Sequence, residues 1–290
     1  MTAWQLLAEP FAEFGFMRRA LVACLALALG SAPVGVLLVL RRMSLIGDAM
    51  AHAVLPGAAI GFLLAGLSLG AMALGGLAAG LLVAVLAGLV TRVTPVREDA
   101  SFAGFYLISL AFGVVVVSMK GSNIDLLHVL FGTILAVDDA SLVQVATIAT
   151  VTLLALALLW RPLVADAFDP LFLNAQGERA SLYHTAFLVL VVLNLVAAFQ
   201  ALGTLMAVGL MMLPAVGARF WAASVAGQMA AAALTAALAG VVGLLVSFHA
   251  GLPSGPAIVL AAGALWLLSL LLGARGGLLI RALPLRHLEA

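Results

Sequence analysis

The chain has 290 residues, 66% of them hydrophobic and only 9% charged, with a net charge of +1. A soluble domain carries about 25% charged residues, so no soluble fold covers this much apolar surface, and the apolar runs are too continuous for the alternation of a transmembrane β-barrel. The balanced charge excludes a nucleic-acid face, which needs concentrated Lys and Arg. A single cysteine, Cys24, excludes an internal disulfide and a cysteine metal cluster; among Ala, Val and Leu its role is packing.

The composition therefore predicts an all-α polytopic integral membrane protein, one transmembrane domain over residues 1–290. Residues 1–16 set Trp4, Leu6, Leu7, Phe11, Phe14 and Phe16 beside Glu9 and Glu13. That pattern reads as an amphipathic stretch along the membrane interface. The first apolar run then continues to spanning length, so it is read as a span and not as a cleaved signal. About 20 apolar residues cross a core of ~30 Å. By that measure spans are expected near 17–40, 48–67, 70–91, 100–119, 141–160, 184–202, 204–220, 224–248 and 256–273, eight or nine in all. The seventh is interrupted by Gly203, Gly209 and Pro214. It reads as discontinuous or re-entrant, which lipid tolerates only where the backbone is buried or lines a cavity.

With the N-terminus outside, Arg41, Arg42, Arg92, Arg97, Arg161, Arg179, Arg219, Arg275, Arg281 and Arg286 fall on cytoplasmic loops. Arg18, Arg19 and Lys120 remain outside. The positive-inside rule favours this orientation. It places the polar loop 161–183 and the tail 274–290 in the cytoplasm. Neither end carries a soluble domain, so nucleotide chemistry is expected in a partner. Runs such as Gly75-Gly76 and Ala230–Ala233 predict closely packed helices, because small residues let backbones approach in lipid.

Asp48 and His52 stand at the mouth of a span with almost no other ionisable group. A carboxylate there costs roughly 2.5–3.5 kcal/mol on insertion scales, and such groups mark an ion or substrate path. Four residues apart, they share one helix face, and oxygen with imidazole nitrogen suits Zn²⁺ or Mn²⁺. Pro56, followed by Gly57, cannot bond the carbonyl of His52, so a kink and a third donor are expected. The competing reading makes Asp48 an N-cap and His52 a packing residue. Asp125 and His128, spaced i,i+3 on an external segment, and His249, in a Gly/Pro turn with Ser254 as a cap, are further metal candidates. Ordinary loop polarity competes with all three. His184 begins a span and reads as interfacial; Met206, Met211 and Met212 read as filler or soft-metal thioethers. Asp138-Asp139 reads as the cap of the fifth span.

In the loop 161–183, Asp169-Pro170 is a helix start and Gly177 a stop. A helix of about two turns is expected there, with Phe168, Leu171, Phe172 and Leu173 partly exposed. It either docks in a partner's groove or rests on the membrane.

Together, Arg41-Arg42-Met43-Ser44-Leu45-Ile46-Gly47-Asp48 through Pro56-Gly57, Leu130–Leu135, Phe168-Asp169-Pro170, Gly203–Pro214 and Leu252-Pro253-Ser254-Gly255-Pro256 resemble the permease subunits of bacterial zinc/manganese ABC importers, the ABC-3 family. They run in the family's order and cover about residues 16 to 273. The resemblance implies a multi-pass protein of the bacterial inner membrane, paired as a homodimer or with a second permease around a metal path. It implies an ATP-binding subunit inside, which holds the ATP, and a periplasmic or extracellular metal-binding protein outside. By that resemblance Asp48 and His52 fall on metal-coordinating positions, and the helix after Asp169-Pro170 is the coupling helix. The family usually has an acidic residue and then an alanine where this chain has Leu171 and Leu173.

The reading that follows is a non-enzymatic permease with no resident cofactor. It imports Zn²⁺ ahead of Mn²⁺ by alternating access driven by a separate ATPase. A secondary transporter coupled to protons or sodium is the rival, although such carriers tend to show several intramembrane carboxylates or an internal repeat. A membrane metalloprotease needs a His-Glu-x-x-His helix, which the chain lacks.

Overall fold

The computed structural model describes residues 3–66, 68–119, 137–175 and 180–282. Among them every regular element is an α-helix, as lipid requires of a chain that must satisfy its own backbone. Short α1 (Ala3–Leu7) and α2 (Glu9–Glu13) lead into α3 (Gly15–Leu40), α4 (Ser44–Ala65), α5 (Leu69–Val93) and α6 (Glu98–Met119). Then come α7 (Asp139–Leu158), α8 (Trp160–Phe168), α9 (Pro170–Ala175), α10 (Ala180–Leu202) and α11 (Thr204–Ala218). The described chain closes with α12 (Val225–Ala250), α13 (Ser254–Leu272) and α14 (Leu278–Ala282).

Eight of these, α3 to α7 with α10, α12 and α13, are long and apolar enough to cross a bilayer. The contacts at their ends fix two faces. At one, His249 at the end of α12 lies 3.0 Å from the carbonyl of Leu6, and Arg19 near the start of α3 donates to Val137 O at 3.1 Å. At the other, the end of α3 meets the start of α10 through Arg41 and His184. The end of α11 meets the end of α13 there too, where Trp221 Nε1 donates to Ser269 Oγ at 2.9 Å. α11 therefore runs from the first face to the second and makes a ninth crossing with only 15 residues, ~22 Å at 1.5 Å per residue. It is not re-entrant. The Arg41 face is the one that the positive-inside rule expects on the cytoplasmic side.

α3 is the central helix, buried along most of its length, with α10 second to it. Close backbone approach builds the rest. A Cβ on Gly57 or Gly61 of α4 would strike the carbonyl of Gly75 or Ala71 on α5, and one on Gly35 of α3 would strike that of Met211 on α11. Inside the bundle, Asn194 Nδ2 donates to Thr152 Oγ1 at 2.8 Å and so ties α10 to α7. Such interhelical bonds and small-residue crossings do in lipid what apolar burial does in water.

Several expectations need correction. Pro56, Gly57, Gly209 and Pro214 do not break their helices: α4 and α11 run through them, and the break falls at Gly203, whose φ is +85°. A proline removes one ladder bond, at Pro56 the one to the His52 carbonyl, and the rest of the ladder carries the helix on. The Pro56 ring sits where Gly113 of α6 leaves room, and Ser109 Oγ of α6 donates to the carbonyl of Ala53 at 3.3 Å. The stretch 161–183 is largely helix, because Pro162 falls in the first turn of α8, where its missing N–H is harmless. Ser254 is the buried first residue of α13 rather than its cap. Asp138 does cap α7, accepting from Ser141 N at 2.9 Å.

Candidate functional site

α4 starts at Ser44, so Asp48 lies one turn inside the helix and is not its N-cap. His52 follows one turn deeper, ~12 Å along the axis from Ser44, with its Nε2 3.7 Å from Asp48 Oδ1. That is too long for a hydrogen bond, and both heads are left partly open, at 34% and 60% of full exposure. They lie on one stripe of α4, Leu45, Asp48, His52 and Leu55, that the bundle does not cover, while Ile46, Ala49, Met50 and Ala53 face inward. An Asp/His pair facing bare lipid would be costly, so this stripe calls for a second surface.

The ring of His52 stacks on Tyr106 of α6, centroids 6.2 Å apart. Its Nδ1 is buried with no hydrogen-bond partner among the described residues, so stacking sets the ring plane. Sequence reasoning missed Tyr106, because nothing local marks which face of α6 meets α4.

A second polar cluster lies at the cytoplasmic face. Arg41 Nη2 is 2.7 Å from Asp166 Oδ2 of α8, and both side chains are about 5% exposed. The guanidinium also lies 4.1 Å above the ring of Phe187, and its Nη1 is 3.1 Å from His184 Nδ1. Arginine only donates, so His184 Nδ1 is the acceptor there, and its Nε2 faces Glu98 Oε1 at 3.1 Å. Burial draws the Arg41 pKa below its ordinary value, opposed by the charges of Asp166 and Glu98. His184 is thus no interfacial bystander. Asp166 and Glu98 were not legible as site residues, because in sequence each is one more charge in a polar loop.

Below this cluster, α9 begins at Pro170 as expected, and Asp169 Oδ1 accepts from Phe172 N at 3.0 Å. Phe168 and Phe172 are exposed, whereas Leu173 is buried, because it faces the bundle and anchors the helix. Gly177 lies outside the described residues, as do Asp125 and His128. His249 sits on the outer face against the N-terminal segment, far in the fold from Asp48 and His52, which begin at the opposite face. Met206, Met211 and Met212 are buried packing residues, as is Cys24. Among the described residues no group of three His, Cys, Asp or Glu side chains surrounds a metal-sized space.

Among the described residues, eight long crossings and one short one, with an uncovered stripe on α4, define a polytopic helical membrane protein. The model of the ABC 3 transport family matches residues 13–273, and the chain belongs to that family. Its ATPase is a separate subunit. The chain is 33% identical over 257 residues to the "Manganese import system permease protein ScaB" of Streptococcus parasanguinis, covering 89% of this chain and 90% of that one. It is also 33% identical over 257 residues to the "Chelated iron transport system membrane protein YfeD" of Yersinia pestis, covering 89% and 85%. Among solved structures, "PsaBC from Streptococcus pneumoniae in complex with Fab" superposes with a TM-score of 0.83 at 30% identity, covering 94% of this chain and 98% of that one. Membership in an ABC family disfavours the secondary-transporter rival.

Proposed function

We propose that the chain is one half of a Mn²⁺-importing permease in which Asp48 and His52 hold the ion in transit. The observation that carries this is the 3.7 Å separation of carboxylate and imidazole on the uncovered stripe of α4. Two donors on one divalent ion, each ~2.1 Å from it, stand roughly 3.0–3.4 Å apart, so a small side-chain rotation closes the pair on metal. Two ligands leave the coordination sphere incomplete. The matching stripe of a second permease completes it, and that surface also shields the polar pair from lipid. Metal delivered by an external binding protein enters an outward cavity, rests there, and leaves inward when the ATPases close. Affinity is modest, because a transported ion must also be released.

Oxygen and nitrogen donors accept Mn²⁺, Fe²⁺ and Zn²⁺ alike. The relatives' names favour manganese, with iron second; the zinc preference expected from the sequence finds no support in them. α9, with Phe168 and Phe172 outward and Asp169 as its cap, is the segment that docks into the ATPase. Uptake of radioactive Mn²⁺ by the complete transporter in proteoliposomes, with Fe²⁺ and Zn²⁺ as competitors, tests the assignment. Asp48→Ala and His52→Ala each abolish uptake while membrane insertion stays normal; wild-type uptake in both variants sinks the site.

A further inference from the structure

We propose that the buried Arg41–Asp166 pair is the strut that carries movement of α8 and α9 to the α3–α4 turn, and through it to Asp48 and His52; this rests on the importer reading above. Arg41 ends α3, yet its side chain reaches Asp166 on α8 at 2.7 Å, His184 on α10 at 3.1 Å and the ring of Phe187 on α10 at 4.1 Å. One side chain thus joins the end of the central helix to the two elements flanking the cytoplasmic docking segment. Asp166 precedes the α9 cap Asp169 by three residues, so the strut is fixed one turn from that segment.

On its other side the strut has little slack. Arg42 has φ +60°, the left-handed region, which among the described residues no other non-glycine adopts. Met43 N donates to Leu38 O at 2.9 Å and Arg42 N to Val39 O at 3.1 Å, closing a Schellman turn where glycine is usual. Strain of this kind persists where the surroundings over-determine it, often at switch regions. Three residues after Arg41, α4 begins, and Asp48 follows one turn later. A displacement of Arg41 is therefore handed directly to the helix that carries the metal pair.

The pair's energetics fit a geometric role better than a stabilising one. A buried ion pair is often matched or exceeded in stability by apolar residues of similar size. Here the pair borders a cavity of about 380 Å³ lined by Arg41, Glu98, Asp166 and His184.

The test uses the complete transporter, with its ATPase and binding protein, in proteoliposomes, and reads Mn²⁺ taken up per ATP hydrolysed. Asp166→Asn keeps assembly with the ATPase and basal hydrolysis, but uptake per ATP falls about tenfold; Asp166→Glu restores most of it. An unchanged ratio in Asp166→Asn overturns the proposal, even where its melting temperature or yield drops, since that is a structural role alone. Should Asp166→Asn fail to accumulate, Arg41→Lys decides. It keeps the charge but cannot span Asp166, His184 and Phe187 together, and a wild-type ratio there overturns the strut equally. A wild-type complex without ATP-dependent Mn²⁺ uptake refutes the importer reading instead, so the two failures are distinct.

Discussion

The crossing of α4 and α5 supports the helix that carries Asp48 and His52, and Gly57→Ala tests it. Gly57 lies five residues after His52, on the side of α4 that meets Gly75 and Ala79 of α5. A methyl built there stands 2.6 Å from Ala79 Cβ and collides with the Gly75 carbonyl, which is backbone and cannot rotate away. Carbon atoms rest at ~3.5–4.0 Å, so the helices must part by about 1 Å. Overpacking of this kind costs roughly 1–3 kcal/mol. Alanine returns up to ~1 kcal/mol of helix propensity, leaving a net loss of about 1–2 kcal/mol and a melting temperature lower by several degrees. Gly263→Ala on α13 is the matched control: nothing lies within 4 Å of its new methyl, so propensity alone acts and stability holds or rises by ~0.5–1 kcal/mol. Thermal unfolding of purified protein in detergent, followed by monodisperse fraction, separates the two. A Gly57→Ala protein as stable as Gly263→Ala would refute the close-contact argument.

Asp169→Ala removes the cap of α9 and costs ~1 kcal/mol of local helix stability, seen as weaker association with the ATPase subunit in pull-down and lower uptake. Arg42→Gly relieves a left-handed residue worth ~1–2 kcal/mol, less the extra flexibility of glycine, so the melting temperature stays level or rises; Arg42→Val lowers it. Asp138 accepts from the side chain and amide of Ser141, and these bonds hold its carboxyl below the usual range. Its folded pKa is depressed, so its contribution is complete above the unfolded value of ~3.9 and is lost as pH falls through the folded one. Asp138→Asn keeps a cap but flattens the fall in melting temperature over that acid window, as pH-dependent melting curves would record.

Much of the helix plan was legible before any coordinates. Eight long crossings and one short one start and stop within a few residues of where apolar length and Gly/Pro punctuation put them, since lipid leaves a spanning chain little alternative to helix. The helix start at Asp169-Pro170 was readable for the same local reason. Continuity through Pro56 and Pro214 was not. Whether a proline breaks a helix depends on what packs against it, here Gly113 and Ser109 for Pro56.

The sequence by itself determined a membrane-spanning helical bundle and the Asp48/His52 pair on one face, because hydropathy and 3.6-residue periodicity are local quantities. Only the tertiary structure decided that this face is the uncovered one, and that Tyr106 steadies His52. It alone joined Arg41, Asp166, His184 and Glu98, residues up to 143 positions apart. Which charges meet is set by how helices cross and which end of each shares a face, and no window of sequence carries that.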